Sequence, residues 1–266
     1  MRSFLHALEF FTRIALPEVL LRWRGFSHQA LATSVAHLPG VGWVVGALTA
    51  VLWWGLLEYL PTVSASLWVA AVLSTAWGLR LTGALHEDGL ADLADGLGAT
   101  RDRERALVIM KDSHMGVFGG VALVLGLLAK CSLLVALGQV DAHRAAWLLW
   151  LGHVLSRGVP VWLAHALPHV GDVARSKSHA VSADVGRRSV VVTGVWCVLA
   201  LLVPAAAGID LPWGWGCLGL VCSAAFMQRL LWRRLQGFTG DGLGAAQQVS
   251  ELAFYLACLL GWGRLG

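Results

Sequence analysis

Four carboxylates fall within nine residues of the stretch Leu85 to Gly96, LHEDGLADLADG. Asp88, Asp92 and Asp95 are spaced four and then three, which places them on one face of a helix. Glu87 points about 100° away from Asp88 on the same helix. Three like charges on one face repel each other, and a solvated helix would offset them with Lys or Arg. Residues 85–100 contain neither. Leu90, Ala91, Leu93 and Ala94, between the acids, are apolar and predict packing. A divalent cation neutralises such a stripe. Oxygen ligands without cysteine select a hard ion, Mg²⁺, with Mn²⁺ or Ca²⁺ as alternatives. With cations nearby, this is the equipment of phosphoryl or nucleotidyl-type transfer, in which positive charge offsets a pyrophosphate and its leaving phosphate. Gly89 and Gly96 allow a substrate or a second helix to approach the backbone closely.

Candidate partners for the stripe are scattered along the chain. Lys111, Asp112 and Ser113 stand just before MGVFGG (115–120). A lysine there suits a phosphate oxygen as a point charge, and a helix start offers free N–H groups to an anion. Lys130 and Arg157 lie inside apolar spans, where a charge faces the bundle interior and is paired. Glu251 is the main intramembrane carboxylate for them; an anionic substrate group is the alternative. Asp241 sits between glycines in GFTGDGLGAAQQVSEL (237–252). Alone that is a turn; with the acid stripe on the same membrane face it becomes a further metal ligand. His86 is open to three roles: ligand, base or structural residue. His37, His153 and His165 lie in spans and read as packing or hydrogen-bonding groups. The five cysteines lie in apolar segments without metal-ligand spacing and read as small hydrophobes.

The elements that must hold these residues are membrane elements. Hydrophobic residues make up 57 % of the 266, charged residues 14 %, and the mean hydropathy is +0.68. Soluble domains are about 45–50 % apolar and about 25 % charged. Seven apolar spans are predicted, roughly 30–57, 62–82, 116–138, 145–167, 189–208, 212–232 and 245–262. The first holds His37 and Pro39 and is expected to be kinked or broken. The first 25 residues lack a signal peptide's apolar core and carry Arg2, Arg13, Arg22 and Arg24, so the N-terminus is expected in the cytoplasm. Sixteen Lys and Arg then fall on the cytoplasmic side and only Arg144 and Arg264 on the other, with Lys130 and Arg157 inside spans. Every charged loop, the acid stripe included, is thereby placed on the cytoplasmic face. Residues 3–16, SFLHALEFFTRIAL, form an amphipathic helix too short to span, with Arg13 either an anchor or a site cation. The fourteen Trp, many near span ends, fit interfacial belts. The expected fold is all-α: a polytopic integral membrane helix bundle of about seven transmembrane helices in a single domain, 1–266, with an N-terminal interfacial segment, 1–28.

The order of motifs resembles the cobalamin synthase family. The matching pieces are FFTRIALP (10–17), TGALHEDGLADLADGL (82–97), ALVIMKDSHMGVFGG (106–120), AK (129–130), SRG (156–158), AR (174–175) and GDGLGAAQQVSEL (240–252). They run in order over nearly the whole chain. The resemblance implies an Mg²⁺-dependent enzyme of the bacterial inner membrane. Such an enzyme joins adenosylcobinamide-GDP to α-ribazole, or its 5′-phosphate, and releases GMP. It implies Asp88, Asp92, Asp95 and Asp241 as metal ligands. Asp88, Asp92, Asp95, His86 and Lys111 are the implied catalytic set. Lys111, Ser113, Lys130, Arg157, Arg175 and Arg13 are expected at phosphate oxygens. The expected partners are those two substrates and membrane lipid, with no nucleic acid; a homo-oligomer is compatible. This sequence departs from the family pattern at Ala84, where Gly is expected, Glu87 (Leu), His114 (Arg) and Gln248 (Glu). The first two are expected to matter little. A CDP-alcohol phosphotransferase fits less well, because Leu93 stands where its pattern needs Arg and its distal acid pair is missing. A cation-coupled transporter would use Arg157, Lys130 and Glu251, but the acids cluster at the membrane edge and no inverted repeat is visible.

Overall fold

A computed structural model describes residues 2–24, 33–170 and 185–265. Within them the chain is helical, and no strand forms. In chain order the helices are α1 (Arg2–Phe11), α2 (Glu18–Arg24), a 3₁₀ turn (Ser34–His37), α3 (Leu38–Tyr59), α4 (Ser64–Thr82), α5 (Leu85–Ala99), α6 (Arg103–Ile109), α7 (Val117–Val140), α8 (Ala142–Leu155), α9 (Gly158–Ala166), α10 (Arg187–Ala206), α11 (Trp213–Leu235) and α12 (Gly240–Leu265). The expected all-α bundle is what forms.

Local chemistry sets the boundaries. Pro39 was expected to break the first span but marks its start. It lies in the first turn of α3, where a missing N–H leaves no bond unmade. Asp102 caps α6 by accepting from Arg105 N, and Asp141 caps α8 by accepting from His143 N and Arg144 N. The span expected over 145–167 is broken at Ser156–Arg157, between α8 and α9. Pro160 has no N–H for the Ser156 carbonyl, and its ring crowds that turn. Val159 N bonds Ser156 O instead, at 3.2 Å.

Five helices are long and apolar enough to cross a membrane among the described residues: 34–59, α7, α10, α11 and α12. Two of the seven expected spans fall outside that set. One is α4, which carries Ser64, Ser66, Ser74, Thr75, Arg80 and Thr82; the other is the broken pair α8–α9. The spanning helices turn apolar residues outwards. Val121, Val124, Leu125 and Leu128 on α7 and Val191, Val195, Val198 and Leu202 on α10 are exposed. Exposed apolar surface of that extent fits hydrocarbon rather than water. Helix α1 is amphipathic as expected. Its apolar face, with Leu5, Leu8 and Phe11, is packed on the protein, and Phe4 lies 5.5 Å from the Trp196 ring of α10.

Helix α5 is the element that positions the acids. It is packed against α12, α7 and α6.

Candidate active site

The chain turns sharply into the acid helix. Gly83 ends α4 with φ +66° and Ala84 follows with φ +57°, both left-handed. Glycine adopts that conformation freely, whereas alanine pays a steric penalty. The glycine expected at 84 is therefore a backbone requirement that this sequence meets with strain. Gly83 also seats a cation: a Cβ there would lie 2.6 Å from Arg13 Nε. Arg13 N bonds Leu81 O at 2.7 Å, which ties the N-terminal segment to the end of α4, just ahead of α5.

Gly89 makes the central contact. A Cβ at that position would lie 2.7 Å from Asp241 O and 3.2 Å from Gly244 Cα. Helices α5 and α12 thus cross backbone against backbone, as small residues allow in membrane bundles. The crossing brings Asp88 and Asp92, on either side of Gly89, into electrostatic contact with Asp241. Asp88 is exposed, and Asp92 and Asp241 are half-buried. Burial first, then the charges of Asp241, Asp88 and Asp95, raises the Asp92 carboxyl from an ordinary 3.8 to about 7. Among the described residues, no three His, Cys, Asp or Glu side chains are drawn together into a ready-made metal group.

Asp95 faces elsewhere. Its carboxylate accepts from Gly116 N at 2.7 Å and Gly119 N at 2.8 Å, at the start of α7. Lys111 and Ser113 lie in the exposed loop between α6 and α7. Beside them His114 closes a local turn, with its Nδ1 2.7 Å from Asp112 Oδ1.

Lys130 and Arg157, expected at phosphate, lie in the bundle interior. Lys130 Nζ is 2.7 Å from Glu251 Oε1, the carboxylate named for it from sequence. Tyr255 Oη donates to the same oxygen at 2.8 Å. Gln247 Nε2 donates to Glu251 Oε2 and to Ser156 Oγ, both at 2.8 Å. Gln248 Nε2 donates to Gln247 Oε1 at 2.8 Å and to Glu87 Oε1 at 2.9 Å. Arg157 donates to His153 O at 2.7 Å. His86 is buried beside this network, with Arg157, Glu251, His153 and Lys130 as its electrostatic neighbours. Lys130 is paired with Glu251, and Arg157 is held by His153 with its Nε buried and, among the described residues, without a hydrogen-bond partner; both lie in the interior network rather than among Asp88, Asp92 and Asp241.

Glu87 also turns into the interior. Helical angle sets it apart from the stripe, as expected, but it is no spare acid. It is buried and bonded to Gln248, so two departures from the family pattern are each other's partner. Gln247 and Tyr255 escaped the sequence reading. Their signal was present: 247, 251 and 255 repeat every four residues as a polar stripe along an apolar helix. Arg175 lies outside the described residues.

Fold and site together define a polytopic, all-helical membrane protein with an all-oxygen acidic centre at a helix crossing. Residues 3–259 match the cobalamin-5-phosphate synthase family. The chain belongs to that family and is an enzyme of cobalamin biosynthesis. It is 46 % identical over 275 residues to an adenosylcobinamide-GDP ribazoletransferase of Albidiferax ferrireducens, covering 98 % of each chain. A relative of the same description from Leptothrix cholodnii is 41 % identical over 98 % of this chain and 96 % of its own. One from Vibrio cholerae is 36 % identical over 96 % and 92 %. No solved structure matches the chain.

Proposed function

We propose that the chain joins adenosylcobinamide-GDP to α-ribazole or its 5′-phosphate at the cytoplasmic face of the bacterial inner membrane. The observation that carries this reading is the crossing at Gly89, which brings Asp88 and Asp92 into electrostatic reach of Asp241 with no counter-charge supplied by α5. The family and the names of the relatives support the substrates.

A free ribose hydroxyl of the ribazole, other than the 5′ one that carries the phosphate in the phosphorylated acceptor, attacks the cobinamide-side phosphorus. A new P–O bond forms, the bond to the GMP phosphate oxygen breaks, and GMP leaves with that oxygen. The hydroxyl proton passes to one of the three carboxylates. Lys111, Ser113 and Arg13 bind phosphate oxygens at the rim, the two cations acting as exposed point charges.

Carboxylate oxygens alone fit Mg²⁺. This ion usually takes one or two protein carboxylates and completes its shell with water and phosphate, so a ready-made protein cage is not required. Asp88, Asp92 and Asp241 would hold it. When bound, it neutralises the pyrophosphate and the leaving phosphate.

The test is purified protein in liposomes with adenosylcobinamide-GDP and α-ribazole. GMP release that stops on chelation and returns with Mg²⁺ is expected. Absence of GMP release, or release of CMP from a CDP-alcohol instead, would sink the reading.

A further inference from the structure

Asp95 belongs to the acid stripe by spacing, yet both of its oxygens are engaged by the backbone of another helix. Gly116 N and Gly119 N donate to Oδ2 and Oδ1 at 2.7 and 2.8 Å. The carboxylate is buried, unlike Asp88. The two amides lie at the first turn of α7, where N–H groups have no partner within their own helix. The two glycines make the approach possible. A Cβ at Gly116 or at Gly119 would collide with the Asp95 carboxylate, and one at Gly119 would also lie 2.8 Å from Ala91 O. The preceding segment is seated on the same helix: a Cβ at Gly96 would collide with Met110, 2.5 Å away. Residues 110 to 119 are therefore strapped across the second half of α5, with Lys111 and Ser113 inside the strap.

We propose that Asp95 is a positioning residue that clamps the α6–α7 strap, and that it is not a ligand of the metal. The acid stripe divides by function. Asp88 and Asp92 face Asp241, while Asp95, one turn further on, fixes where Lys111 and Ser113 stand relative to them. Charged acceptors at a helix start form the stronger kind of hydrogen bond. A carboxylate there holds the strap more firmly than an amide would.

The test compares Asp95→Asn, Gly119→Ala and Asp92→Asn in the purified full-length protein. The first readout is hydrogen–deuterium exchange of the peptide covering 113–120, which needs no turnover. Loss of a charge-assisted acceptor should speed that exchange about tenfold or more in Asp95→Asn. Gly119→Ala, which leaves every carboxylate in place, should do the same. Asp92→Asn should leave it unchanged. The second readout is kinetic and rests on the reaction proposed above. Asp95→Asn and Gly119→Ala should raise the KM for adenosylcobinamide-GDP about tenfold, with the Mg²⁺ concentration for half-maximal rate within about twofold of wild type. Unchanged exchange in Asp95→Asn overturns the clamp whatever the reaction is. A shifted Mg²⁺ requirement in Asp95→Asn, with Gly119→Ala normal, overturns it in favour of a ligand. If wild-type protein releases no GMP, the reaction is wrong, and the exchange measurement still decides the clamp.

Discussion

Asp92 concentrates the consequences of the helix crossing in one carboxyl group. Its pKa stands at about 7 because it is partly buried among Asp241, Asp88 and Asp95. The folded protein therefore holds this proton more tightly than the unfolded chain, in which the group titrates near 3.8. Raising the pH between these values then removes stability from the metal-free protein. Wild-type protein should lose thermal stability relative to Asp92→Asn as pH rises from about 4 to about 7. Mg²⁺ should reverse this loss. Parallel pH profiles for the two proteins would contradict the assigned repulsion. Ala84 gives a second expectation at this scale. Its left-handed backbone is strained, so Ala84→Gly should raise stability by about 0.5–1 kcal/mol in denaturant unfolding. Equal or lower stability would refute the strain. The stripe of Asp88, Asp92 and Asp95 was legible as spacing, and so was the setting apart of Glu87. The destinations of the side chains were not. The partner of Asp95 is an amide pair more than twenty residues away, and that of Glu87 is an amide 161 residues away. Helical spacing fixes a face but not what meets it.

Helix α12 ties the elements together. From one flank it meets the acid helix at Gly244, and from another it sends Gln247, Gln248, Glu251 and Tyr255 into the interior. The polarity of this network is set at one end. An ionised Glu251 can only accept, so Gln247 turns its Nε2 towards it and its Oε1 towards Gln248. Gln248 then offers the second hydrogen of its Nε2 to Glu87. Glu251→Ala would remove the ion-pair partner of Lys130 and the main counter-charge of Arg157. It should destabilise the fold by about 3–5 kcal/mol. Adding Lys130→Met should recover a substantial part of that loss, as read by unfolding in mixed micelles. No recovery would show that the two side chains are not coupled. The pairing of Lys130 with Glu251 was legible because few intramembrane acids were on offer. The break at Ser156–Arg157 was legible only in Pro160 and Gly158, signals outweighed by the apolar run around them.

At the scale of the whole molecule, membrane burial explains why so few residues carry the chemistry. Apolar side chains cover the spanning helices, and among the described residues Arg103 and Arg234 tie the C-terminal end of α11 to the start of α6 and the end of α5. The acid crossing and the strap carrying Lys111 then share a face. A cysteine introduced at Ser113 should react with an impermeant maleimide in inverted vesicles only, and one at Ser64 in intact cells only. The reverse pattern would place the centre on the wrong side for a cytoplasmic nucleotide. Chain-wide composition and charge asymmetry made the all-α membrane bundle readable. The number of crossings was harder to read, because α4 mixes Ser, Thr and Arg80 into an apolar run and α8–α9 is interrupted. The central claim is that Asp88, Asp92 and Asp241 form the reaction centre where α5 crosses α12. It is tested most directly by GMP release at saturating substrate from Asp92→Asn and wild-type protein, side by side in liposomes with Mg²⁺. The account predicts a fall in kcat of about a thousandfold, with the fold intact. A kcat within a few-fold of wild type would contradict it.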